Sequence, residues 1–449
     1  MTINVCFIAN YSKTIFFEAI ALELKKQDIN IFWITVSKKI NSSLCDTWGK
    51  DNVLYINNAQ QSKAPISDLR LNEIIQSDRA LRSQKESAKK YLENIQQPIF
   101  DFIRNNNINF IFGEITWGHE ILTLRMTKKH PELNCTFLNP HTVRLPKSHF
   151  GFFLDEQQSI LAVRDCNSSK TVPDLTPEKP SYLKLNDALI KKHFSLRSRL
   201  SRAVNFALRK NYDKYDPTVV HNRIQNIIIK TKIEINRESY RLVKKYNFND
   251  IKNKKYILYL LHKQPESSVD VIGRYYDDQF TNILNIWRSL PQDHSLLVKE
   301  HSNAIGDRGF SFYKKLSNLS DTYIIDEKEE TYNLISHAKG IATVSGTAAY
   351  ESALMGINSF TFAPTFFNQL DNCTHINLNL IKDSDIFARP ERTQHSDIPY
   401  FSNWLNQRIF EGIISDPISD PSCISKENLT SVTNAFIEIT KHTDLKNAQ

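Results

Sequence analysis

The fold of this chain is decided by residues 338–367, which read Ala-Lys-Gly-Ile-Ala-Thr-Val-Ser-Gly-Thr-Ala-Ala-Tyr-Glu-Ser-Ala-Leu-Met-Gly-Ile-Asn-Ser-Phe-Thr-Phe-Ala-Pro-Thr-Phe-Phe. The apolar run from Gly340 to Val344 has the length of a strand, and the small residues from Ser345 to Thr347 predict a tight turn. The next residues, Ala348 to Met355, predict a helix closed by a glycine, and a second strand is expected at Ser359–Ala363. This order of elements is the building block of a parallel α/β sheet.

The turn in this unit is a candidate phosphate site. The backbone N–H groups at a helix start have no intrahelical partner, and the helix dipole adds partial positive charge there. The hydroxyls of Ser345 and Thr347 would add donors, and Glu351, one turn further on, could accept a hydrogen bond from a sugar hydroxyl. The alternative is that Ser345 or Thr347 only N-caps a core helix, and the motif alone does not separate the two interpretations.

Length and composition indicate a soluble protein with two domains. A chain of 449 residues is too long for one ordinary core, and 41% hydrophobic and 24% charged residues are typical of globular proteins. No apolar run reaches the roughly 18 residues of a membrane-spanning helix, and the N-terminus lacks the features of a signal peptide. The six cysteines contain no Cys-x-x-Cys pair, which argues against a structural zinc site and favours the cytoplasm.

The net charge of +8 is unevenly distributed along the chain. Residues 181–255 contain 19 Lys and Arg against 6 Asp and Glu, a net charge of +13, so the remainder carries about −5. We expect a basic helical insert here that contacts a membrane surface, a lipid-linked phosphate or nucleic acid. Nucleic acid is disfavoured because interleaved aromatic residues and zinc-finger spacing are both missing. The alternative is an insert whose charged side is only solvated.

The first half begins with a strand at residues 3–9, a helix at Thr14–Lys26 and a strand at Ile29–Val36. This opening resembles a Rossmann-like half-domain, but Gly-x-Gly-x-x-Gly is missing, so a dinucleotide cofactor is disfavoured. A further strand at Ile108–Phe112 precedes the candidate catalytic residues, and two loop residues are candidates for substrate binding. The catalytic candidates are Glu114, His119 and Glu120, with Glu114 first, and the substrate-binding candidates are Asn10 and Arg144.

These candidates also have simpler interpretations. Ligands bind at the carboxyl ends of strands in open α/β sheets, which favours a functional role for Glu114. A carboxylate at a helix N-terminus is also stabilised by the helix dipole alone, which is the alternative for Glu114. A single loop arginine such as Arg144 is commonly only solvated.

The second half alternates strands and helices and predicts a second parallel sheet. Strands are expected at Tyr256–Leu261, Leu296–Val298 and Tyr323–Ile325, ahead of the strand at Gly340. If these strands are parallel, the polar residues that follow them meet at one edge of the sheet and form a phosphate or nucleotide site. The candidates are His262, Glu266, Lys299, Glu300, His301, Ser345, Gly346, Thr347 and Glu351.

The expected organisation has four parts. Residues 1–180 form an N-terminal Rossmann-like domain, and residues 181–250 the basic helical insert. Residues 251–400 form a C-terminal Rossmann-like domain that carries the candidate phosphate or nucleotide site. Residues 401–449 carry two helices, predicted at Trp404–Ile414 and Leu429–Lys441, that are expected to pack back on the first domain.

Three segments of the second half resemble the GT-B glycosyltransferases, and among them the bacterial capsule and surface-polysaccharide synthesis proteins that include Kdo transferases. They are His262-Lys-Gln-Pro-Glu266, Lys299-Glu300-His301 and Val344-Ser-Gly-Thr-Ala-Ala-Tyr-Glu351. The resemblance covers residues 255–370, and the first half is similar only around Glu114 and Arg144. The chain departs from the family at Ser302, where many members have proline, and its 11 glycines are fewer than usual.

The resemblance implies two Rossmann-like domains that face a cleft. It implies that His301 and the turn at Ser345–Thr347 hold the nucleotide, that Glu351 lies near the ribose and that Glu266 lies near the sugar. The implied activity is transfer of Kdo or a related acidic sugar from a CMP-linked donor to a surface glycan or lipid-linked acceptor. No cofactor other than this donor substrate, and no metal, is expected. Glu114 is then the acid/base or nucleophile.

Two other functions remain open. A UDP-sugar 2-epimerase would share the fold and the nucleotide site, but it would convert its substrate without a second carbohydrate. A non-enzymatic, membrane-associated binding protein would use the basic helices and would bind liposomes without binding a nucleotide.

Overall fold

The computed structural model describes residues 2–57, 66–84, 86–164, 174–177, 216–218, 223–383, 385–388 and 397–441. Most of the predicted basic insert, residues 181–215 and 219–222, lies outside the described residues, and so does the prediction that it contacts an anionic surface. In the described part, no helix is both long enough and apolar enough to span a membrane.

The first sheet has seven strands in the order β13-β6-β5-β4-β1-β2-β3. Strands β1 to β5 are parallel, and the edge strands β6 and β13 are antiparallel to their neighbours. Near-continuous apolar sequences such as Val5–Ile8 form its central strands, because helices cover both faces of the sheet. The strands are β1 (Asn4–Ile8), β2 (Asn30–Thr35), β3 (Val53–Tyr55), β4 (Phe110–Phe112), β5 (Thr136–Thr142), β6 (His149–Phe153) and β13 (Ile409–Glu411).

The second sheet has six strands, all parallel, in the order β12-β11-β10-β7-β8-β9. Its centre is formed by β10, β7 and β8, whose carboxyl ends therefore lie side by side. The prediction that the polar clusters after these strands meet at one edge is confirmed. The strands are β7 (Lys255–Leu260), β8 (His294–Lys299), β9 (Thr322–Ile325), β10 (Gly340–Thr343), β11 (Ser359–Thr361) and β12 (Cys373–His375).

Amphipathic helices cover the sheets, and their apolar residues form the cores. They are α1 (Lys13–Lys25), α2 (Lys38–Trp48), α3 (Leu71–Ser77), α4 (Glu86–Asn105), α5 (Gly118–Lys129), α6 (Arg223–Tyr240), α7 (Phe248–Ile251), α8 (Gln279–Arg288), α9 (Phe310–Ser317), α10 (Thr331–Ser336), α11 (Thr347–Leu354), α12 (Leu378–Asp383), α13 (Ile398–Asn406) and α14 (Lys426–Lys441). The predicted class, two α/β units with largely parallel sheets, is confirmed.

The C-terminal region differs from the prediction of a helix at Trp404–Ile414. The helix α13 ends at Asn406, and the following residues form β13, which pairs with β6. The apolar residues of this stretch fit a helical period, but the unpaired edge of β6 and the phenylalanine cluster beneath it favour a strand. Phe410 packs 5.8 Å from Phe150 and 5.5 Å from Phe152, measured between ring centroids.

The last helix, α14, packs on the first domain although it follows the second in sequence. Its Phe436 ring lies 4.5 Å from Phe112 and 5.0 Å from Phe152, and it is fully buried. The strand β6 has no counterpart among the predicted strands, and the strand before it, β5, extends through Pro140. Pro140 faces Phe152 in the antiparallel pair.

Two guanidinium groups and two carboxylates join the domains. In the first domain, Arg125 donates to the two oxygens of Glu156 at 2.6 and 2.9 Å and to Glu73 at 2.9 Å. From the second domain, Arg274 also pairs with Glu156 and lies 3.6 Å from Glu73. Tyr275 adds a hydrogen bond to Glu73 at 2.7 Å. We call these five residues the interdomain ion network.

The protonation state of this network follows from its charges. Burial by itself would raise the pKa of Glu156, but the hydrogen bond from Arg125 and the charges of Arg274 and Arg125 hold it below its usual value. A carboxyl whose folded-state pKa is lowered stabilises the folded state above its unfolded-state pKa, and this contribution is lost as the pH falls. Both carboxylates of the network, Glu73 and Glu156, are therefore ionised at neutral pH.

Further contacts join the same two domains. Arg82 of the first domain pairs with the buried Asp270 of the second at 2.9 Å. Val271, which is fully buried, packs in the apolar core of the first domain. Tyr350 donates a hydrogen bond from its hydroxyl to the carbonyl of Leu145 at 3.1 Å. Ion pairs and apolar packing together hold the carboxyl edges of the two sheets close to each other.

We predict that Arg274→Gln lowers the free energy of unfolding by about 2–3 kcal/mol, because Glu73 and Glu156 then share one guanidinium inside a largely buried site. The measurement is urea unfolding at pH 7. The matched control is Arg241→Gln, which removes an exposed ion pair to Glu238 at 2.6 Å and should change stability by less than about 0.5 kcal/mol. Equal effects of the two substitutions would show that the network does not stabilise the domain contact.

Candidate active site

At the carboxyl edge of the first sheet, Glu114 follows β4 and Asn10 follows β1. Because β1 and β4 are neighbouring parallel strands, the two side chains meet, and Asn10 donates from Nδ2 to Glu114 at 2.8 Å. Lys13, at the start of α1, places its ammonium group 3.2 Å from the other Glu114 oxygen. Glu114 remains 25% exposed, whereas Lys13 is 8% exposed. The carboxylate is thus held in a fixed orientation and remains open to a ligand.

Glu114 lies in the wall of a cavity of about 600 Å³. The cavity is large enough for a sugar residue, and its wall carries hydroxyl, carboxylate, guanidinium and imidazole groups, which suit a polyhydroxylated ligand. Its lining residues are Asn10, Tyr11, Ser12, Lys13, Arg79, Glu114, Thr116, Trp117, His141, Ile414, Ser415, Asp416 and Ser419. The segment after β13 closes one side, where Asp416 accepts a hydrogen bond from Ser12 at 3.2 Å.

His119 and Glu120 lie in the protein interior, which corrects their prediction as catalytic residues. They belong to the first turn of α5 and are 2% and 0% exposed. Glu120 accepts hydrogen bonds from the backbone of Thr116 and Trp117, each at 3.0 Å, and so takes the helix-capping role that was the alternative for Glu114. Desolvation lowers the pKa of His119 to about 3, so this side chain is neutral.

Glu120 is a buried carboxyl group whose protonation is coupled to Glu114. Desolvation, and after it the charge of Glu114, raises the pKa of Glu120 to about 8 from an ordinary value of 4.5. Folding therefore takes up a proton when the pH lies between these two values. The contribution of Glu120 to stability is fully present below pH 4.5 and is lost as the pH rises to about 8.

We predict that Glu120→Gln removes this dependence, because an amide retains an acceptor oxygen and carries no charge. The unfolding free energy of the variant minus that of the wild type should increase from pH 5 to pH 8, by up to about 1.4 kcal/mol per pH unit. Chemical unfolding at several pH values measures the difference. A constant difference over this range would mean that Glu120 is ionised in the folded protein.

At the carboxyl edge of the second sheet, the residues after β7 and β10 are in contact. His262 places Nε2 2.7 Å from the Thr343 hydroxyl and accepts a hydrogen bond from the Ser345 N–H at 3.4 Å. Desolvation, with the charges of His301 and Arg308, lowers the pKa of His262 to about 3, so the ring is neutral and able to accept. His262 therefore shapes the turn before α11.

The turn itself leaves the start of α11 uncapped by side chains. The residue at the N-cap is Gly346, and the Ser345 hydroxyl donates instead to the carbonyl of Ser268 at 2.7 Å. Thr347 is exposed. The alternative interpretation, in which one of these hydroxyls N-caps the helix, does not describe this turn. The Ala349 N–H donates to the Gly346 carbonyl at 3.0 Å, so the N–H groups of Thr347 and Ala348 are the ones in this turn left for an external acceptor.

After β8, Glu300 and Lys299 are buried rather than open to a ligand. Glu300 accepts hydrogen bonds from Arg308 at 2.7 Å and from Tyr313 at 2.6 Å. Lys299 donates to the carbonyl of Glu327 at 3.3 Å, and desolvation lowers its pKa. Through these contacts Glu300 and Lys299 support the loop and do not face a ligand. This corrects the prediction that these two residues contact the nucleotide.

The remaining nucleotide candidates are accessible. His301 is exposed and uses Nδ1 to accept the Asn303 N–H at 3.2 Å, and Glu266 is exposed and accepts from the Ser268 hydroxyl at 3.1 Å. Their assignment to a nucleotide and a sugar stays a prediction.

Arg144 and Glu351 meet across the domain boundary. Arg144, which has a φ of 69°, donates from Nε to Glu351 at 2.5 Å, and Tyr332 donates to the other Glu351 oxygen. Glu351 is 6% exposed. The loop after β5 thereby touches the helix after β10, which brings the two carboxyl edges together. The predicted roles of Arg144 as a substrate contact and Glu351 as a ribose contact remain predictions.

Sequence reasoning missed several residues of these edges. Lys13 had a local signal, since it begins the helix after the first loop, but its pairing with Glu114 depends on strand order. Arg308, in the bend before α9, and Tyr313, in α9, reach Glu300 and carry no motif. In the part of the chain described above, no group of three or more His, Cys, Asp and Glu side chains is arranged to hold a metal. The sequence does contain one Asp-x-Asp, at Asp383 and Asp385, which the expectation of a metal-free site overlooked.

No protein-family profile and no curated protein matches this chain. Similar solved structures include the Thermosulfurimonas dismutans KpsC β-Kdo 2,7 transferase, at 10% identity and a TM-score of 0.38, covering 98% of this chain and 99% of that one. The KpsC β-Kdo 2,4 transferase of the same organism is 14% identical, with a TM-score of 0.32 and coverage of 74% and 87%. The Methanocaldococcus jannaschii UDP-GlcNAc 2-epimerase bound to UDP-GlcNAc and UDP is 12% identical, with a TM-score of 0.29 and coverage of 90% and 99%.

Proposed function

We propose that this protein is a glycosyltransferase that moves a sugar from a nucleotide-linked donor to a carbohydrate acceptor. The observation that carries the proposal is the pairing of two different polar edges. One edge presents a fixed, accessible carboxylate, Glu114, in a cavity of about 600 Å³. The other presents the uncapped start of α11, which follows β10, and the exposed His301, which follows β8, with β7 between these two strands. The contact between Arg144 and Glu351 brings these edges together.

The two edges suit the two halves of a transfer reaction. The start of α11 stabilises the phosphate that leaves with the donor nucleotide, because its N–H groups and helix dipole favour negative charge. Glu114 accepts the proton of the acceptor hydroxyl as this oxygen forms a bond to the anomeric carbon. The bond from the anomeric carbon to the phosphate oxygen breaks, and its electron pair leaves with the nucleotide. Lys13 and Asn10 keep the carboxylate aimed at the cavity.

The finer assignments in the proposal are a CMP-linked donor and Kdo or a related acidic sugar. They rest on the motif resemblance at His262–Glu266, Lys299–His301 and Val344–Glu351. The acceptor is a bacterial surface glycan or a lipid-linked glycan, used at the cytoplasmic face of the inner membrane. The net charge of +13 in residues 181–255 supports contact with such a surface.

We predict that CMP raises the thermal stability of the wild type more than UDP or GDP does, since a ligand that binds the native state stabilises it by mass action. The measurement is a thermal-shift titration followed by calorimetry. His301→Ala should remove the shift. His294→Ala is the matched control, because His294 begins the same strand, β8, at the opposite edge of the sheet.

Each result of this titration has a consequence. A shift with UDP alone would favour a UDP-sugar transferase or epimerase, and conversion of a UDP-sugar without acceptor would identify the epimerase. No shift with any nucleotide would contradict the nucleotide site and favour the membrane-binding alternative.

We predict that Glu114→Gln lowers kcat about 100-fold or more while nucleotide affinity stays unchanged, because the amide cannot accept the hydroxyl proton. The assay measures nucleotide release from the donor in the presence of acceptor. Glu132→Gln is the control, since Glu132 is an exposed carboxylate just before β5, at the opposite edge of the sheet. Full turnover by a folded Glu114→Gln protein would exclude Glu114 as the base.

A further inference from the structure

The turn that precedes α4 is fixed against the start of α5 by one buried carboxylate. Asp78, which is 2% exposed, accepts hydrogen bonds from the N–H groups of Ala80 at 2.7 Å and Leu81 at 3.0 Å. Its second oxygen accepts the N–H of Gly118 at 2.7 Å. A Cβ at Gly118 would lie 2.6 Å from the Leu81 Cδ1 methyl, so a larger residue there would have to displace the Leu81 side chain. The backbone on both sides of Arg79 is therefore held in place.

Arg79 itself is exposed and lies over an aromatic ring. Its guanidinium carbon is 4.6 Å from the centroid of the Trp117 ring, which is a cation–π contact. Trp117 is 6% exposed, and Tyr11 packs against it at 5.8 Å. Among the residues that the structure describes, none forms an ion pair or hydrogen bond with Arg79. Its five N–H donors are thus directed by stacking and are open to a ligand.

A short series of contacts connects Arg79 to the candidate base. The Trp117 indole N–H donates to Asn10 Oδ1 at 3.2 Å, and Asn10 in turn donates to Glu114 at 2.8 Å. Arg79 and Glu114 line the same cavity. A ligand held by Arg79 beside the exposed Tyr11 ring would therefore lie close to the Glu114 carboxylate.

The charges of the cavity wall favour an anionic ligand at Arg79. The Lys13 ammonium is paired with Glu114 at 3.2 Å. Asp416 accepts from Ser12 and from the N–H groups of Ile418 and Ser419 at 3.0 Å. Desolvation and the charge of Lys13 lower the pKa of His141, so this ring is neutral. Within the described cavity wall, Arg79 is the cation without a carboxylate partner.

We propose that Arg79 is a specificity-determining residue that binds the carboxylate of an acidic sugar in the Glu114 cavity. The planar guanidinium matches the two oxygens of a carboxylate, and the Tyr11 ring, which is 49% exposed, supports the apolar face of the sugar ring. The inference rests on the proposed function, which already names an acidic sugar, and it adds the residue that would recognise the acidic group of that sugar and the cavity in which it does so. A phosphate group could offer similar oxygens, and the test separates the two sources.

The test compares two ligands that differ by one carboxylate, methyl β-glucuronide and methyl β-glucoside. Binding to the full-length protein is measured by saturation-transfer NMR and calorimetry, without nucleotide. The wild type should bind the glucuronide about tenfold or more tightly than the glucoside, and Arg79→Gln should remove this preference. Arg79→Lys should retain part of it, because lysine keeps the charge and loses the planar fork.

The control variant is Arg104→Gln, in which the exposed arginine near the end of α4 loses its pair with Asp101. It should retain the full preference for the glucuronide. A preference that persists in Arg79→Gln, or that the wild type lacks, would overturn the proposal. The carboxylate assignment would also be overturned if inorganic phosphate bound through Arg79 and the glucuronide did not.

The experiment is independent of the proposed transfer reaction. It uses no donor, so a failed nucleotide titration leaves its result unaffected. Loss of the carboxylate preference, in turn, leaves the nucleotide edge and the role of Glu114 unaffected. The two proposals can therefore fail separately.

Discussion

The structure depends on the interdomain ion network, in which Glu73 and Glu156 are held between Arg125 and Arg274. Each carboxylate touches both guanidinium groups, so neither domain satisfies its own charges without the other. Buried ion pairs add little net stability compared with apolar packing, because desolvation opposes their attraction. What they provide here is geometry, since a shift between the domains would leave charges unpaired. This constraint determines which groups face each other across the domain boundary.

The carboxyl edges of the two sheets use their polar groups differently. In the first domain, the carboxylates at the end of β4 divide between two tasks, since Glu120 is buried and caps α5 while Glu114 stays open to the cavity. In the second domain, His262 and Glu300 form hydrogen bonds inside the protein, and these bonds fix the shape of the loops. The uncapped start of α11 and the exposed His301 are what this edge offers to a ligand. Polar side chains whose hydrogen bonds are made inside the protein thus hold in place the loops that carry the few accessible polar groups.

The fold was largely predictable because its signals are local. Apolar runs of strand length, small-residue turns and helical runs placed β7, β8, β10 and α11 close to their observed positions. The incorrect predictions of secondary structure arose where a local sequence pattern fits two different structures. The apolar residues around Phe410 suit a helix as well as a strand, and the open edge of β6 decided for the strand. The candidate site was predictable only as a set of residues that follow strands.

The sequence alone determined the class of the fold, the two largely parallel sheets and the residues that their carboxyl edges present, because strand direction fixes where the following residues lie. The tertiary structure decided which of those residues are accessible. Burial assigned Glu120 to a helix cap and left Glu114 in a cavity, and the stacking of Arg79 on Trp117 gave that cavity an exposed cation. These outcomes depend on contacts between side chains that lie far apart in the chain, and no local pattern encodes them.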